Sequence, residues 1–179
     1  MPRLRLPPAS RRRIGAALLP LLLGAACVHA TDAPAPAHAA IVQVLETYRT
    51  AVSTGDEALF ATTLLDDDIP FHAVRAPGEV DPALDSRATR GVAAFRQSVF
   101  HGGRRYRQHF TDIRVAQDGA LAQATLRFVT LRDDGSGGAG WKTLTLIDVG
   151  GRWKIASEFY TVGDATDADR SAAAQASTP

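Results

Sequence analysis

Two histidines stand where a proton could be moved. His72 lies in Phe71-His72-Ala73-Val74, a short run that alternates like a strand. His109 lies in Gln108-His109-Phe110-Thr111-Asp112, within a longer alternating run. An imidazole titrates near neutral pH, so either could serve as a general base or a proton shuttle. The plainer reading of His72 is a partly exposed edge-strand side chain. For His109 it is a satisfied structural histidine. His109 shares parity with Thr111, Ile113 and Val115, whereas Asp112 shares a face with Phe110 and Arg114. His109 and Asp112 therefore cannot pair directly within a regular strand.

Other polar clusters are weaker. Arg104, Arg105 and Arg107 surround Tyr106 and could hold a phosphate, a carboxylate or a nucleobase, or simply be a solvated strand start. Asp66, Asp67 and Asp68 are consecutive acids on a turn and point in different directions, and no His or Cys spacing fits zinc, so no metal is expected. No phosphate-binding glycine loop or nucleophile elbow occurs, and no cofactor is expected. In the last strand Trp153, Ile155, Ser157 and Phe159 form the more apolar set. That places Glu158 and Tyr160 on the outer face, with Glu158 as a salt-bridge partner. Trp141 would cap a pocket mouth or pack at a hairpin end.

These side chains need elements to hold them. Ile41, Leu45, Tyr48 and Val52 recur at helical spacing, and Gly55 can close that helix in a left-handed conformation. Asp56 starts a second short helix with Leu59, Phe60 and Leu64 on its apolar side. Ile69 to Val74 reads as a short strand, with Pro70 confining it to an edge or a strand start. A loop rich in Pro, Gly, Asp and Ser covers Arg75 to Thr89. Val92, Phe95 and Val99 mark a third helix over Gly91 to Phe100. The period then changes to two. Strands are expected over Tyr106–Val115, Ala120–Arg132, Trp141–Val149 and Arg152–Val162, joined by hairpins at Asp118-Gly119, Asp133–Gly140 and Gly150-Gly151. Helices followed by hairpins imply an α+β domain with helices on one face of a sheet.

The ends differ in composition. Arg3, Arg5, Arg11, Arg12 and Arg13 precede the apolar run Ile14 to Ala26, which is shorter than the roughly 20 residues of a membrane span. This pattern is that of a secretory signal peptide over 1–30, with Val28-His29-Ala30 as its cleavage site. A second reading makes Gly24-Ala25-Ala26-Cys27 a lipoprotein box, with Cys27 lipidated and the protein membrane-anchored. Residues 31–38 read as a disordered Pro-Ala linker, 39–163 as the domain and 164–179 as a disordered tail. Cys27 is the only cysteine, so no disulfide can staple the domain. The net charge of +1 includes the five leader arginines; without them acids outnumber bases by four, which argues against nucleic acid as a partner.

Taken together, the segments resemble a known superfamily. Tyr48 followed by Ser53-Thr54-Gly55-Asp56 and a short helix is similar to the opening of nuclear-transport-factor-2-like proteins. Asp112-Ile113-Arg114-Val115 with Asp118-Gly119-Ala120-Leu121-Ala122 is similar to that superfamily's strand, Asp-Gly turn and Ala-containing strand. Gly150-Gly151-Arg152-Trp153-Lys154-Ile155 resembles its closing hairpin. The nearest branches are the lumazine-binding-like, polyketide-cyclase-like and ketosteroid-isomerase-like ones. The resemblance implies a cone-shaped curved antiparallel sheet, with three N-terminal helices on one face enclosing a pocket. Tyr48, Phe71, His72, Phe95 and Trp141 are the expected pocket residues. It also implies a small hydrophobic or heteroaromatic ligand and a homodimer through the outer sheet face; the leader, separately, implies a place in the periplasm or outside the cell. An isomerase, dehydratase or cyclase using His72 or His109 is the enzymatic alternative. A non-catalytic dimeric interaction module is another. The fold itself decides none of these.

Overall fold

Helix α1 (Ala35–Thr54) opens the computed structural model, which describes residues 35–74 and 91–175. The helix begins inside the Pro-Ala stretch expected as linker. Pro36 falls in its first turn, where a missing amide hydrogen costs nothing. Ile41, Leu45, Tyr48 and Val52 are all buried, so the helical spacing faces the core as expected. Gly55 at φ 71° ends the helix, and the Asp56 carboxylate accepts from the Leu59 amide at 2.8 Å to start α2 (Glu57–Thr63). Helix α3 (Val92–Phe100) is tied to α2 through Arg96, whose Nη1 lies 2.8 Å from Asp67 and whose Nε lies 3.4 Å from Glu57.

The strands are β1 (Phe71–Val74), β2 (Tyr106–Asp118), β3 (Leu121–Arg132), β4 (Gly137–Asp148), β5 (Trp153–Thr161) and β6 (Gly163–Asp164). They form one curved sheet in the order β1-β5-β4-β3-β2, with β6 on β4. The curved antiparallel meander expected from the sequence is present, and the short first strand makes the sheet a mixed one. The β2–β5 meander is antiparallel, but β1 adds to β5 in parallel. Pro70 stands just before that edge strand and still contributes its carbonyl, which accepts from the Glu158 amide at 2.8 Å.

Two irregularities decide which side chains face inward. In β2 the register shifts between Thr111 and Arg114, where Asp112 sits at φ 53°. In β5 the ladder passes from Ile155 opposite Leu146 to Ser157 opposite Thr145, leaving Ala156 as the extra residue of a bulge. Each extra residue reverses the alternation beyond it. In β4, Gly140 is required by close approach. A β-carbon there would lie 1.8 Å from the Thr161 carbonyl oxygen and 3.1 Å from the Phe128 ring.

The segment after residue 163, expected to be frayed, carries structure. β6 pairs with β4, and α4 (Asp167–Gln175) follows. Thr166 and Asp169 cap each other: the Thr166 hydroxyl donates to the Asp169 carboxylate at 2.7 Å, and the Asp169 amide donates back at 3.2 Å. Ala165 and Ala173 are buried. α4 packs on β3, opposite the face that holds α1–α3. Small side chains let it lie close, which is why the absence of large apolar residues was a poor guide.

Candidate functional site

The inner faces of β4 and β5 carry two polar side chains among apolar ones. Lys142 stands opposite Tyr160, and Leu144 stands opposite Glu158, so Lys142 and Glu158 are diagonal cross-strand neighbours. Tyr48 reaches them from α1. Lys142 Nζ lies 2.6 Å from Glu158 Oε1 and donates to the Tyr48 hydroxyl at 3.1 Å. That hydroxyl donates to Glu158 Oε1 at 3.3 Å. Exposure is 0% for Tyr48, 1% for Lys142 and 0% for Glu158.

Aromatic rings surround this group. Lys142 Nζ is 4.7 Å from the centre of the Tyr48 ring, 5.1 Å from Phe128, 5.3 Å from Tyr160 and 5.6 Å from Phe110. Ring quadrupoles attract a cation placed over their faces. Phe60 packs edge-on against Tyr48 at 5.2 Å, and Phe95 stacks on Phe60 at 5.3 Å and meets Phe71 at 4.8 Å.

Removal from water dominates the electrostatics. Burial pushes the Lys142 ammonium down and the Glu158 carboxyl up, and their mutual attraction opposes both movements. Burial, and then the negative field of Glu158, raises the Tyr48 phenol well above its ordinary value. Glu158 Oε1 is fully engaged, whereas Glu158 Oε2 is buried without a hydrogen-bond partner among the described residues. An orphaned buried carboxylate oxygen is costly, and it is also a ready acceptor.

The residues expected from the sequence divide between the two faces. Tyr48, Phe71 and Phe95 do come together in the interior. His72 is on the outer face, half-buried, with its ring 5.2 Å from that of Phe159. His109 is also outside, beside α4, with Thr111, Arg127 and Asp169. Burial lowers its pKa, with Arg49 and Arg107 adding to the effect. Neither histidine reaches the interior, where the enzymatic alternative would need one of them. Trp141 points outward and is 45% exposed rather than capping an interior. Cys27 and the leader lie outside the described residues. Glu158, expected on the outer face, is turned inward by the Ala156 bulge. Lys142 went unnoticed, although its in-phase neighbours Leu144 and Leu146 mark the same buried face.

No protein-family model matches the chain, and no curated protein matches it. Solved structures do. A nuclear-transport-factor-2-like protein of unknown function from Shewanella baltica is 15% identical with a TM-score of 0.52, over 74% of this chain and 98% of its own. A candidate aromatic ring hydroxylase from Novosphingobium aromaticivorans is 17% identical with a TM-score of 0.56, over 76% and 98%. A candidate scytalone dehydratase from the same organism is 14% identical with a TM-score of 0.54, over 72% and 85%. This chain has the nuclear-transport-factor-2-like fold.

Proposed function

We propose that the concave side of the sheet is a small-molecule site whose polar floor is Lys142, Glu158 and Tyr48. The single observation that carries this reading is Glu158 Oε2, a buried acceptor without a partner inside an aromatic enclosure. It suits a small apolar or heteroaromatic compound bearing one O–H or N–H. The fold is shared with a candidate dehydratase and a candidate ring hydroxylase, which agrees with aromatic ligands for this scaffold. The three side chains are sealed from solvent as they stand, so entry requires the helix layer to part from the sheet. A thermal-shift comparison tests the reading. Phenol should raise the melting temperature of the wild type, and anisole, its methyl ether, should not. Equal responses, or none, would end the proposal.

The outer face supports a second reading, which concerns assembly. Helix α4 lies over the β2–β3 side, leaving Val74, Trp141 and Phe159 exposed at 52%, 45% and 43% along β1, β4 and β5. We infer a homodimer through this uncovered half of the sheet. Sedimentation equilibrium should give a dimer for the wild type and a monomer for Phe159→Asp; a monomeric wild type contradicts it. The basic-apolar leader supports export to the periplasm or beyond, with Cys27 as the anchor in the lipoprotein version.

A further inference from the structure

The chain contains 18 arginines and only two lysines, Lys142 and Lys154. Lys154 is a partly exposed strand residue whose ammonium donates to the Thr62 carbonyl. Lys142 is the buried one. Everywhere else the sequence supplies positive charge with a guanidinium. An ion pair and a position over aromatic rings would suit arginine at least as well, because arginine pairs with carboxylates and stacks on rings readily. What lysine offers, and arginine does not, is an amine that can give up its proton and attack an electrophile.

We propose that Lys142 is a covalent nucleophile that condenses with the carbonyl group of an apolar aldehyde or ketone to form an imine. The proposal rests on the small-molecule reading above and assigns a chemistry to it. Three features of the geometry serve that step. The amine is sealed among the rings of Tyr48, Phe110, Phe128 and Tyr160, where no water competes with an apolar carbonyl compound for it. Glu158 is 2.6 Å away and can exchange one proton with it. Tyr48 holds both, at 3.1 Å from the amine and 3.3 Å from the carboxylate. Burial moves both members of the pair toward their uncharged forms, consistent with a proton that crosses between them.

The step balances with these groups alone. With the proton on Glu158, the Lys142 lone pair attacks the carbonyl carbon. The C–N bond forms, the carbonyl π pair moves to oxygen, and Glu158 protonates that oxygen. The nitrogen, now ammonium, returns a proton to Glu158, leaving a neutral carbinolamine. Glu158 then protonates the hydroxyl, which leaves as water while the nitrogen lone pair closes the C=N bond. The product is a cationic iminium beside the Glu158 carboxylate and over the ring faces, so the original charge arrangement is restored.

Benzaldehyde with sodium cyanoborohydride is the probe. Hydride from the borohydride converts the iminium to a secondary amine, adding one benzyl group. Peptide mass mapping after a time course compares Lys142 with Lys154 in the same molecule. In the folded protein Lys142 should be labelled roughly tenfold faster than Lys154, and the advantage should vanish in urea. Glu158→Gln should slow labelling at Lys142 and leave Lys154 unchanged; should that variant not fold, the wild-type ratio still decides. Labelling of Lys142 no faster than Lys154, or only after unfolding, overturns the proposal. Stabilisation by phenol without benzyl transfer would leave the small-molecule site standing and remove the imine. Absence of both would remove both.

Discussion

Lys142→Met should destabilise the protein by about 4 kcal/mol, and Lys142→Met combined with Glu158→Leu should recover most of that loss. The single change leaves the Glu158 carboxyl fully buried with its charge partner gone and only the Tyr48 hydroxyl in reach. Such a group is held ionised at high cost or takes up a proton. The deficit therefore depends on pH with a definite sign. Glu158 already titrates above its ordinary range in the intact protein. Loss of the ammonium raises it further. A carboxyl whose folded pKa is raised contributes stability below its unfolded value and loses it as pH rises through the folded value. The Lys142→Met deficit should accordingly be larger at pH 8 than at pH 5. In the double variant no charge is buried, and methionine and leucine fill similar volume, so packing replaces the ion pair. Urea unfolding followed by circular dichroism, on the wild type, both single variants and the double, closes the cycle. A single variant within about 1 kcal/mol of the wild type would show that the pair is not sealed as described.

This pair also marks where the sequence stops being legible. The element order was readable because its signals are local: the helical spacing of Ile41 to Val52, the Gly55-Asp56 junction, and the hairpins at Asp118-Gly119 and Gly150-Gly151. The aromatic part of the interior was readable too, through Tyr48, Phe71 and Phe95. The polar part was not. Strict alternation from Trp153 carries Ser157 and Phe159 inward. One unpaired residue, Ala156, reverses that beyond the bulge and brings Glu158 in instead. The same happens in β2, where the shift at Asp112 separates His109 and Thr111 from Ile113 and Val115. Bulges depend on how two strands match in space, and neither Ala156 nor Asp112 advertises one by residue type. Lys142 is different. It lies in phase with Leu144 and Leu146, and a lone lysine on an apolar face of an arginine-rich chain is a readable anomaly. Helix α4 was hidden for a further reason. Its contacts come from alanines and a Thr166–Asp169 cap, which look like tail composition until the geometry places them against the sheet.

The alkaline limb of the stability curve should be steeper in the wild type than in Tyr48→Phe, by about 1.4 kcal/mol per pH unit above pH 10. Tyr48 sits at the centre of the interior, and its proton is retained for four reasons that act in one direction. Burial is the largest, the negative field of Glu158 the next, then Tyr160, and last the hydrogen bond to Glu158. The unfolded chain releases this proton near its ordinary pKa of 10.0, whereas the folded chain keeps it to much higher pH. The stability linked to the phenol is therefore complete below pH 10 and is lost as pH rises through the folded value. Lys142 works in the opposite sense. Its folded pKa is lowered, so its contribution grows with pH until the unfolded lysine has also lost its proton near 10.5. The wild type and Tyr48→Phe both keep Lys142, so their difference isolates the phenol. At neutral pH the phenylalanine variant should lose about 1 kcal/mol, the worth of the hydrogen bonds to Lys142 and Glu158. It should close on the wild type above pH 10. Parallel curves through that range would mean that Tyr48 releases its proton as an exposed phenol does, and that the enclosure around Lys142 and Glu158 admits water.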